Sequence, residues 1–175
     1  MSGYSINPKV KIRRATRADW SGIIEIYNEA VALRTATADT EPVTIDSKRD
    51  WLEGHLNESF PILVCEIESK VVGWCSLSIY RHGRPAFDRT VEVSYYVSKD
   101  NQGKGIATQL LEQAIAECSR LGYRTLVAIL LDVNVPSIRL LEKFGFAEWG
   151  RMPGIAEIDE AEYDHLYFGK HLNAD

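Results

Sequence analysis

The sequence TVEVSYYV at residues 90–97, followed by SKDN at 98–101 and QGKGIATQLL at 102–111, decides the fold. Its first part is rich in Val, Tyr and Thr, which a largely buried β-strand prefers. After the turn, apolar residues recur at helical spacing as far as Leu121, and Gly122 follows where glycine commonly ends a helix. The stretch therefore predicts a strand, a tight glycine turn and a helix.

The turn contains Gly103 and Gly105 on either side of Lys104. Glycine lets the backbone approach a ligand closely, and the first N–H groups of a helix have no partner within the helix. A phosphate at this point would accept hydrogen bonds from those groups, and the helix dipole would favour its charge. The turn alone is equally what a tight strand-to-helix connection needs, so the phosphate site is a hypothesis.

Two other phosphate motifs fit the turn less well. A nucleotide P-loop requires Lys and Ser or Thr directly after its last glycine, whereas Ile106 follows Gly105 here. A dinucleotide-binding turn requires a third glycine at the position that Thr108 occupies. Asp132, at the end of the next predicted strand, resembles a ribose-binding acid, so a nicotinamide-dependent enzyme stays open as a distant alternative.

The order Gln102-x-x-Gly105-x-Ala107 after a strand resembles the acetyl-CoA pyrophosphate loop of the GNAT N-acetyltransferase superfamily, and NVPSIRLLEKFGF at 134–146 resembles that family's pantetheine-binding segment. Asn and Ser also favour helix caps, which is the alternative role of Asn134 and Ser137. The resemblance implies that acetyl-CoA is held by Tyr95, Tyr96, Val97, Gln102, Gly103, Lys104, Gly105, Ile106, Ala107, Asn134 and Ser137.

The resemblance also implies the fold. We expect an α/β (α+β) protein of the GNAT fold, with a mixed, mostly antiparallel central sheet of about six to seven strands flanked by about four helices. At 175 residues the chain suits one domain with a core at about 10–172. Family members are commonly dimers, which implies a homodimer.

A narrower resemblance concerns the phosphinothricin and methionine sulfoximine N-acetyltransferases. It rests on TVE at 90–92 preceded by RPAFD at 84–88, and on IYN at 26–28, TEPVT at 40–44 and VVG at 71–73. The branch implies Glu92 as general base and substrate-binding residue, with Arg84 and Phe87 near the acidic group of a small amino-acid-like substrate. The loop at 34–42 is expected to border that substrate.

Glu92 also stands out by its own chemistry. It is a carboxylate within an apolar, β-rich stretch, where burying a charge is costly. An alkyl amine is mostly protonated near neutral pH, so an acetyltransferase needs a base to remove its proton. The alternative is a glutamate at the strand edge that faces water or pairs with Arg89.

Leu141 is a departure from the family pattern. Many members have Tyr or His at this position, where it protonates the departing CoA thiolate, and leucine cannot do so. A thiol pKa near 8.5 lets the thiolate leave with the help of water, and Tyr95 or Tyr96 could substitute. The C-terminal region also departs from the branch, which leaves the acceptor open.

Composition excludes several classes of function. A net charge of −5 and a pI of about 5.4 disfavour binding to nucleic acid or anionic membranes. No long apolar run predicts a membrane span, and three unpaired cysteines predict reduced thiols in a soluble, cytoplasmic protein. The four histidines lack the spacing of metal ligands, so no metal is expected: His55, His82, His165 and His171.

The remaining elements follow from periodicity and turn residues. Strands are predicted at 9–14, 62–67, 71–80, 124–131, 147–151 and 163–168. Helices are predicted at 20–30, from 46 to about 55, and from about 135, with Pro136 in the first turn and Gly145 after the end. Residues 34–43 should form a loop, and the acidic residues 157–162 should separate the last two strands.

The sequence thus predicts an enzyme that moves the acetyl group of acetyl-CoA onto the primary amine of a small amino-acid-like substrate. Two alternatives stay open. The acceptor could be a polyamine, an aminoglycoside or a protein amine, although the arginines at 81, 84 and 89 favour a carboxylate. The chain could instead be a non-catalytic CoA-binding regulatory module, which Leu141 favours and Glu92 opposes.

Overall fold

The computed structural model describes residues 10–172, which form one seven-stranded sheet with helices on both faces. This confirms the expected mixed sheet and four helices. The strands are β1 (Lys11–Arg14), β2 (Ile62–Ile67), β3 (Lys70–Ile79), β4 (Thr90–Val97), β5 (Thr125–Leu131), β6 (Ala147–Ile158) and β7 (Ala161–His171). The helices are α1 (Trp20–Leu33), α2 (Arg49–Gly54), α3 (Ile106–Arg120) and α4 (Val135–Lys143).

The sheet has the strand order β1-β2-β3-β4-β5-β7-β6, and only the β4–β5 pair is parallel. That pair is short: Thr90–Glu92 lies in register with Thr125–Val127, although β4 continues to Val97 and β5 to Leu131. Beyond Glu92 the two strands therefore separate. The separation opens the middle of the sheet, and nothing in the local sequence predicted it.

Strand β4 presents different side chains to the two faces of the sheet. Val91 and Val93 are buried in the larger apolar cluster, which contains residues of α3 and α4. Glu92, Ser94 and Tyr96 point to the opposite face, where they line a cavity together with residues of α1 and α2. This alternation follows from the period of two along a strand. It brings the one carboxylate of β4 into a concave site.

The glycine turn and the helix after it form as predicted. Gly103 and Gly105 have φ values of 72° and 79°, the left-handed region that side chains disfavour. Gly105 is the N-cap of α3, and Gly122, with φ of 80°, follows the helix. The turn conformation itself therefore requires glycine at these positions.

Two predictions of element bounds were wrong. Strands β6 and β7 extend through most of the acidic stretch, pair at Glu157 and Glu162, and turn at Asp159 and Glu160, whose φ values are 52° and 66°. These carboxylates are exposed on an edge hairpin, so water solvates them without cost to pairing. Helix α2 begins at Arg49 rather than at 46, because residues 45–48 form a turn.

Other predictions concern single residues. The cysteines are free and buried: Cys65, Cys75 and Cys118. No helix within residues 10–172 is long and apolar enough to span a membrane, and the same residues contain no cluster of His, Cys, Asp or Glu suited to a metal ion. Lys9, predicted as part of the first strand, lies outside the described residues. His55, at the end of α2, is buried and makes local hydrogen-bond contacts with the Trp51 carbonyl and with Ser78.

Candidate active site

Two cavities meet where β4 and β5 separate. One, which we call the groove, has a volume of about 640 Å³ and lies against the glycine turn and the start of α4. The other, which we call the pocket, has a volume of about 570 Å³ and lies between the sheet and helices α1 and α2. A cavity of about 40 Å³ between them shares wall residues with both. Ala36 and Tyr96 line all three cavities, so the groove and the pocket adjoin at these residues.

The groove collects the residues that the sequence predicted for acetyl-CoA. All but one of them line it: Tyr95, Tyr96, Val97, Gln102, Gly103, Gly105, Ile106, Ala107, Asn134 and Ser137. The exception is Lys104, whose Nζ donates to Asn101 Oδ1 at 3.2 Å and which does not line the groove. Gln102 Nε2 donates to the Val97 carbonyl at 3.3 Å and closes the turn.

The turn has the properties of a phosphate cradle. No side chain caps α3, whose N-cap is Gly105, so the first N–H groups of the helix stay open to an anion. A Cβ placed on Gly103 or Gly105 would meet no atom within 4 Å and would project into open space. A large polyanion can therefore approach the backbone here, as the pyrophosphate of CoA would require.

Helix α4 supplies the opposite wall of the groove. Asn134 Oδ1 accepts a hydrogen bond from the Ser137 backbone N–H at 3.3 Å, so Asn134 has the capping role that the sequence left open. This bond leaves its amide nitrogen unused, and the residue also lines the groove and the small connecting cavity. Tyr95 donates its hydroxyl to the Ser137 carbonyl at 3.4 Å. Capping and ligand binding are thus compatible at Asn134.

Glu92 is the half-buried carboxylate of the pocket. It lies opposite Ser78 of β3, and Ser76 and Ser94 line the same wall. Burial raises the pKa of Glu92, and the positive charge of Arg81 opposes that rise. Arg81, not the Arg89 that the sequence suggested, is thus the basic residue that acts on Glu92. A carboxylate with a raised pKa in a cavity is suited to accept a proton.

Aromatic rings form another wall of the pocket. The rings of Trp74 and Tyr96 have centroids 4.7 Å apart, and Tyr27 meets Tyr96 edge-on at 5.1 Å. Trp51 of α2 lies 5.9 Å from Trp74, whose Nε1 donates to the Ile23 carbonyl at 3.1 Å. These contacts fix the rings in place and give the pocket a rigid apolar side.

The loop between α1 and α2 closes the pocket, as the sequence predicted for residues 34–42. Asp39 Oδ2 accepts hydrogen bonds from the Tyr27 hydroxyl at 2.7 Å and from Lys48 Nζ at 3.1 Å. The Tyr27 bond, together with Lys48, lowers the pKa of Asp39, although burial opposes this. Sequence reasoning missed this network, because it joins residues of a helix and a loop that carry no motif.

Two predicted substrate residues lie elsewhere. Arg84 and Phe87 belong to the exposed connection between β3 and β4 and line neither the pocket nor the groove of their own chain. The Phe87 ring packs instead on Tyr80, with centroids 5.7 Å apart. The structure therefore does not bring these two residues together with Glu92.

Leu141 lines the small connecting cavity and is 1% exposed, and its side chain has no proton to donate. Two phenols lie nearby. Burial raises the pKa of Tyr96 to about 12 and the pKa of Tyr95 well above its usual value. Both phenols are therefore protonated at neutral pH, and the hydrogen of Tyr95 bonds the Ser137 carbonyl.

Several known proteins are similar to this chain over most of its length. A Bacillus subtilis (strain 168) protein named YwnH, a candidate phosphinothricin acetyltransferase, is 43% identical over 163 residues, which cover 93% of this chain and 99% of that protein. An L-methionine sulfoximine/L-methionine sulfone acetyltransferase of Pseudomonas paraeruginosa (strain DSM 24068 / PA7) is 36% identical, over 83% of this chain and 85% of that protein.

A solved structure is similar in fold as well as in sequence. YncA, a candidate acetyltransferase of Salmonella typhimurium whose structure includes its cofactor acetyl-CoA, superposes with a TM-score of 0.87 at 33% identity, over 95% of both chains. The sequence profile of the acetyltransferase (GNAT) family matches residues 23–146, which contain the strand, the glycine turn and the helix of the groove. The chain therefore belongs to the acetyltransferase (GNAT) family.

Proposed function

We propose that this protein transfers the acetyl group of acetyl-CoA to the primary amine of a small amino-acid-like substrate of the phosphinothricin or methionine sulfoximine type. The observation that carries the proposal is that the groove and the pocket adjoin where the sheet opens, with Ala36 and Tyr96 in the walls of both. A donor in the groove and an acceptor in the pocket would meet at Tyr96. Ser94 and Glu92 follow Tyr96 on the same face of β4, at every second residue.

The groove residues fit acetyl-CoA, which supplies the thioester carbonyl when bound. The backbone at residues 103–107 would hold the pyrophosphate, and the end of β4 with Asn134 would hold the pantetheine arm. Backbone N–H groups near Tyr96 and Val97 would stabilise the negative charge that develops on the thioester oxygen. The acetyl-CoA complex of the similar YncA supports this assignment.

Glu92 is the general base in this proposal. Its carboxylate takes one proton from the ammonium group of the acceptor, and the neutral amine then forms a C–N bond to the acetyl carbon while the C–S bond breaks. The nitrogen, positively charged after the attack, releases its second proton to water and becomes the neutral amide. The raised pKa of Glu92 brings its proton affinity closer to that of an amine. General base catalysis of this kind contributes about 10²–10⁴-fold to a rate.

The departing thiolate needs a proton, which Leu141 cannot give. We propose that Tyr95 or Tyr96 donates it, because both phenols are protonated and line the groove. Replacing each in turn by Phe distinguishes them, since the donor's loss should lower kcat more than the other's. Equal and small effects of both changes would assign the proton to water.

The acceptor class rests on the named relatives and on the pocket. Its volume and aromatic wall suit a molecule of amino-acid size. Arg84 and Phe87 do not line the pocket of their own chain, so we propose that they act on the acceptor bound to the partner chain of a homodimer. Light scattering of the purified protein tests the dimer.

The free cysteines favour a cytoplasmic location, because an oxidising compartment would favour disulfides. Fractionation of cells tests this location.

Free-thiol release from acetyl-CoA tests the proposed function. The panel comprises methionine sulfoximine, methionine sulfone, phosphinothricin, the common amino acids, a polyamine and an aminoglycoside, with CoA binding measured by calorimetry alongside. We expect turnover with an amino-acid analogue and an N-acetylated product by mass spectrometry. Turnover with the polyamine or the aminoglycoside alone would mean that the acceptor is a cationic amine rather than an amino-acid analogue. CoA binding without turnover on any amine would favour a regulatory module.

A further inference from the structure

A buried histidine contacts the pocket from behind its wall. His55 follows α2 and is 9% exposed. Its Nδ1 lies 2.7 Å from the Trp51 carbonyl oxygen, and its Nε2 lies 3.0 Å from Ser78 Oγ. The ring also packs against Trp51, with centroids 4.4 Å apart and the ring planes tilted by 45°. Sequence analysis assigned His55 no role, and the proposed acetyl transfer does not use it.

These two contacts fix the tautomer of the histidine. A carbonyl oxygen can only accept a hydrogen bond, so Nδ1 must carry the hydrogen that faces Trp51. Burial lowers the pKa of His55, although its contacts with the Trp51 and Leu77 carbonyls oppose this. A neutral ring whose one hydrogen lies on Nδ1 has none on Nε2. Nε2 must then accept, and the Ser78 hydroxyl must donate to it. The hydrogen of Ser78 thus points away from the pocket.

The lone pairs of Ser78 remain for the pocket side. Ser78 lines the pocket and lies directly opposite Glu92 in the β3–β4 register. Side chains at directly opposite positions have Cβ atoms about 4.5–5.5 Å apart. A single ammonium group between them can donate one hydrogen to the Glu92 carboxylate and another to Ser78 Oγ, because it carries three donors.

We propose that Ser78 is a second contact for the acceptor amine and that His55 is a positioning residue that keeps Ser78 an acceptor. The proposal rests on the proposed function and adds residues to its acceptor site. It also implies a requirement on the substrate: the amine must have at least two hydrogens in the bound state. Primary amines satisfy this as ammonium and as the neutral base, whereas a neutral secondary amine has one hydrogen and loses one of the two contacts.

Steady-state kinetics of Ser78→Ala test the contact. We expect the KM for the acceptor to rise about tenfold or more, as loss of a hydrogen bond to a charged group does. The KM for acetyl-CoA should stay within about twofold and kcat within about threefold, because the contact exists before and during the reaction. Ser119→Ala, whose hydroxyl bonds the Ile115 carbonyl on the exposed side of α3, is the matched control.

The outcomes separate this proposal from the proposed function. An active wild type with an unchanged acceptor KM in Ser78→Ala overturns the role of Ser78 alone. A wild type that acetylates none of the amines on the panel overturns the proposed function, and the role of Ser78 falls with it.

A pair of histidine variants tests positioning. In His55→Gln the amide lies near the place of Nε2 and can still accept from Ser78, whereas in His55→Asn the amide reaches only the place of Nδ1. We expect His55→Asn to raise the acceptor KM as Ser78→Ala does, and His55→Gln to restore most of the wild-type value at a similar unfolding temperature. Equal acceptor KM values in the two variants would reduce His55 to a structural residue.

Nuclear magnetic resonance provides a readout that does not depend on activity. Long-range proton–nitrogen correlation of the histidine-labelled protein shows which ring nitrogen of His55 carries hydrogen. We expect Nδ1 to be protonated and Nε2 to show the shift of a hydrogen-bond acceptor that changes in Ser78→Ala. A hydrogen on Nε2 would overturn the proposal, because Ser78 would then be free to donate into the pocket.

Discussion

Glu92 shows how burial and a neighbouring charge act together on one carboxylate. Its strand is apolar and its own position is half-buried, so desolvation raises its pKa. Arg81, which lies just after β3 and packs over the Tyr80 ring at 5.2 Å, partly offsets that rise. The balance of the two sets the pH at which the Glu92 carboxyl loses its proton.

Removing the charge of Arg81 should therefore move that pH. In Arg81→Gln the carboxylate loses electrostatic stabilisation, so the pKa of Glu92 rises further. Because the deprotonated form is the active base, the acid limb of kcat/KM against pH should shift to higher pH, with the alkaline plateau retained. Arg89→Gln is the control and should leave the limb in place. An unshifted limb in Arg81→Gln would show that another group sets the profile.

Single residues also mark how far sequence reasoning reaches. Glu92 and Tyr96 could be identified because a strand motif carries them. Ser78 and His55 could not, since their meaning comes from a contact between two residues 23 positions apart. Arg84 and Phe87 were identified by resemblance alone, and the structure of one chain does not place them at either cavity.

Among the elements, helix α3 has glycines with left-handed φ at both ends. Gly105 borders the groove and Gly122 lies beyond the other end, and a Cβ at either position meets no atom within 4 Å. An alanine at each should cost a similar conformational energy, about 1–2 kcal/mol. The two positions therefore separate backbone strain from ligand contact.

We expect Gly105→Ala to raise the Kd for acetyl-CoA by about tenfold or more, because its methyl group would enter the space of the pyrophosphate. Gly122→Ala should lower the unfolding temperature about as much as Gly105→Ala does, but it should leave the Kd unchanged. Calorimetric titration with acetyl-CoA measures the Kd of both variants, and thermal denaturation measures their unfolding temperatures. Equal affinities in the two variants would remove the glycine turn from the cofactor site.

The β6–β7 hairpin depends on a close contact at Gly169. A Cβ on Gly169 would lie 2.0 Å from the Trp149 ring, although that ring is 48% exposed. Gly169→Ala should therefore displace the ring and destabilise the fold by about 1–3 kcal/mol. Trp149→Ala should remove most of that penalty in the double variant. Additive effects in a denaturant double-mutant cycle would contradict the contact.

Elements were predictable where the pattern is local. Strand β4, the glycine turn and α3 follow from periodicity and turn chemistry. The lengths of β6 and β7 could not be predicted in this way, because a run of exposed acidic residues has the composition of a loop until its partner strand is known. The separation of β4 from β5 was also hidden, since it depends on which strands become neighbours.

On the scale of the whole molecule, an ionic cluster joins the first strand to the rest of the fold. Arg13 of β1 donates to both carboxylate oxygens of Asp19 at 2.8 Å and to Glu66 of β2 at 2.8 Å. The guanidinium bonds lower the pKa of Asp19 from 3.8 to about 2. Asp19 is 6% exposed, so water screens this pair only weakly.

The cluster should stabilise the fold only above acid pH. Because the pKa of Asp19 is lower in the folded state, its contribution is complete above about pH 4 and is lost as the pH falls towards about 2. Asp19→Asn should lower the free energy of unfolding by about 2 kcal/mol at neutral pH and by far less at pH 2. Chemical denaturation at both pH values measures the difference.

Asp46→Asn is the matched control for that measurement. Asp46 also pairs with an arginine, Arg49, but its side chain is 85% exposed. Exposed pairs contribute little, so its effect should be small at both pH values. An Asp19→Asn effect that does not depend on pH would mean that shape rather than charge stabilises this cluster.

The most direct test of acetyl transfer at the meeting of groove and pocket is the single-turnover rate of Glu92→Gln with the best acceptor from the panel. We predict a rate about 10²–10⁴-fold below wild type at neutral pH, with the same Kd for acetyl-CoA and no loss of unfolding temperature. A rate near that of wild type would contradict the role of Glu92 as the base.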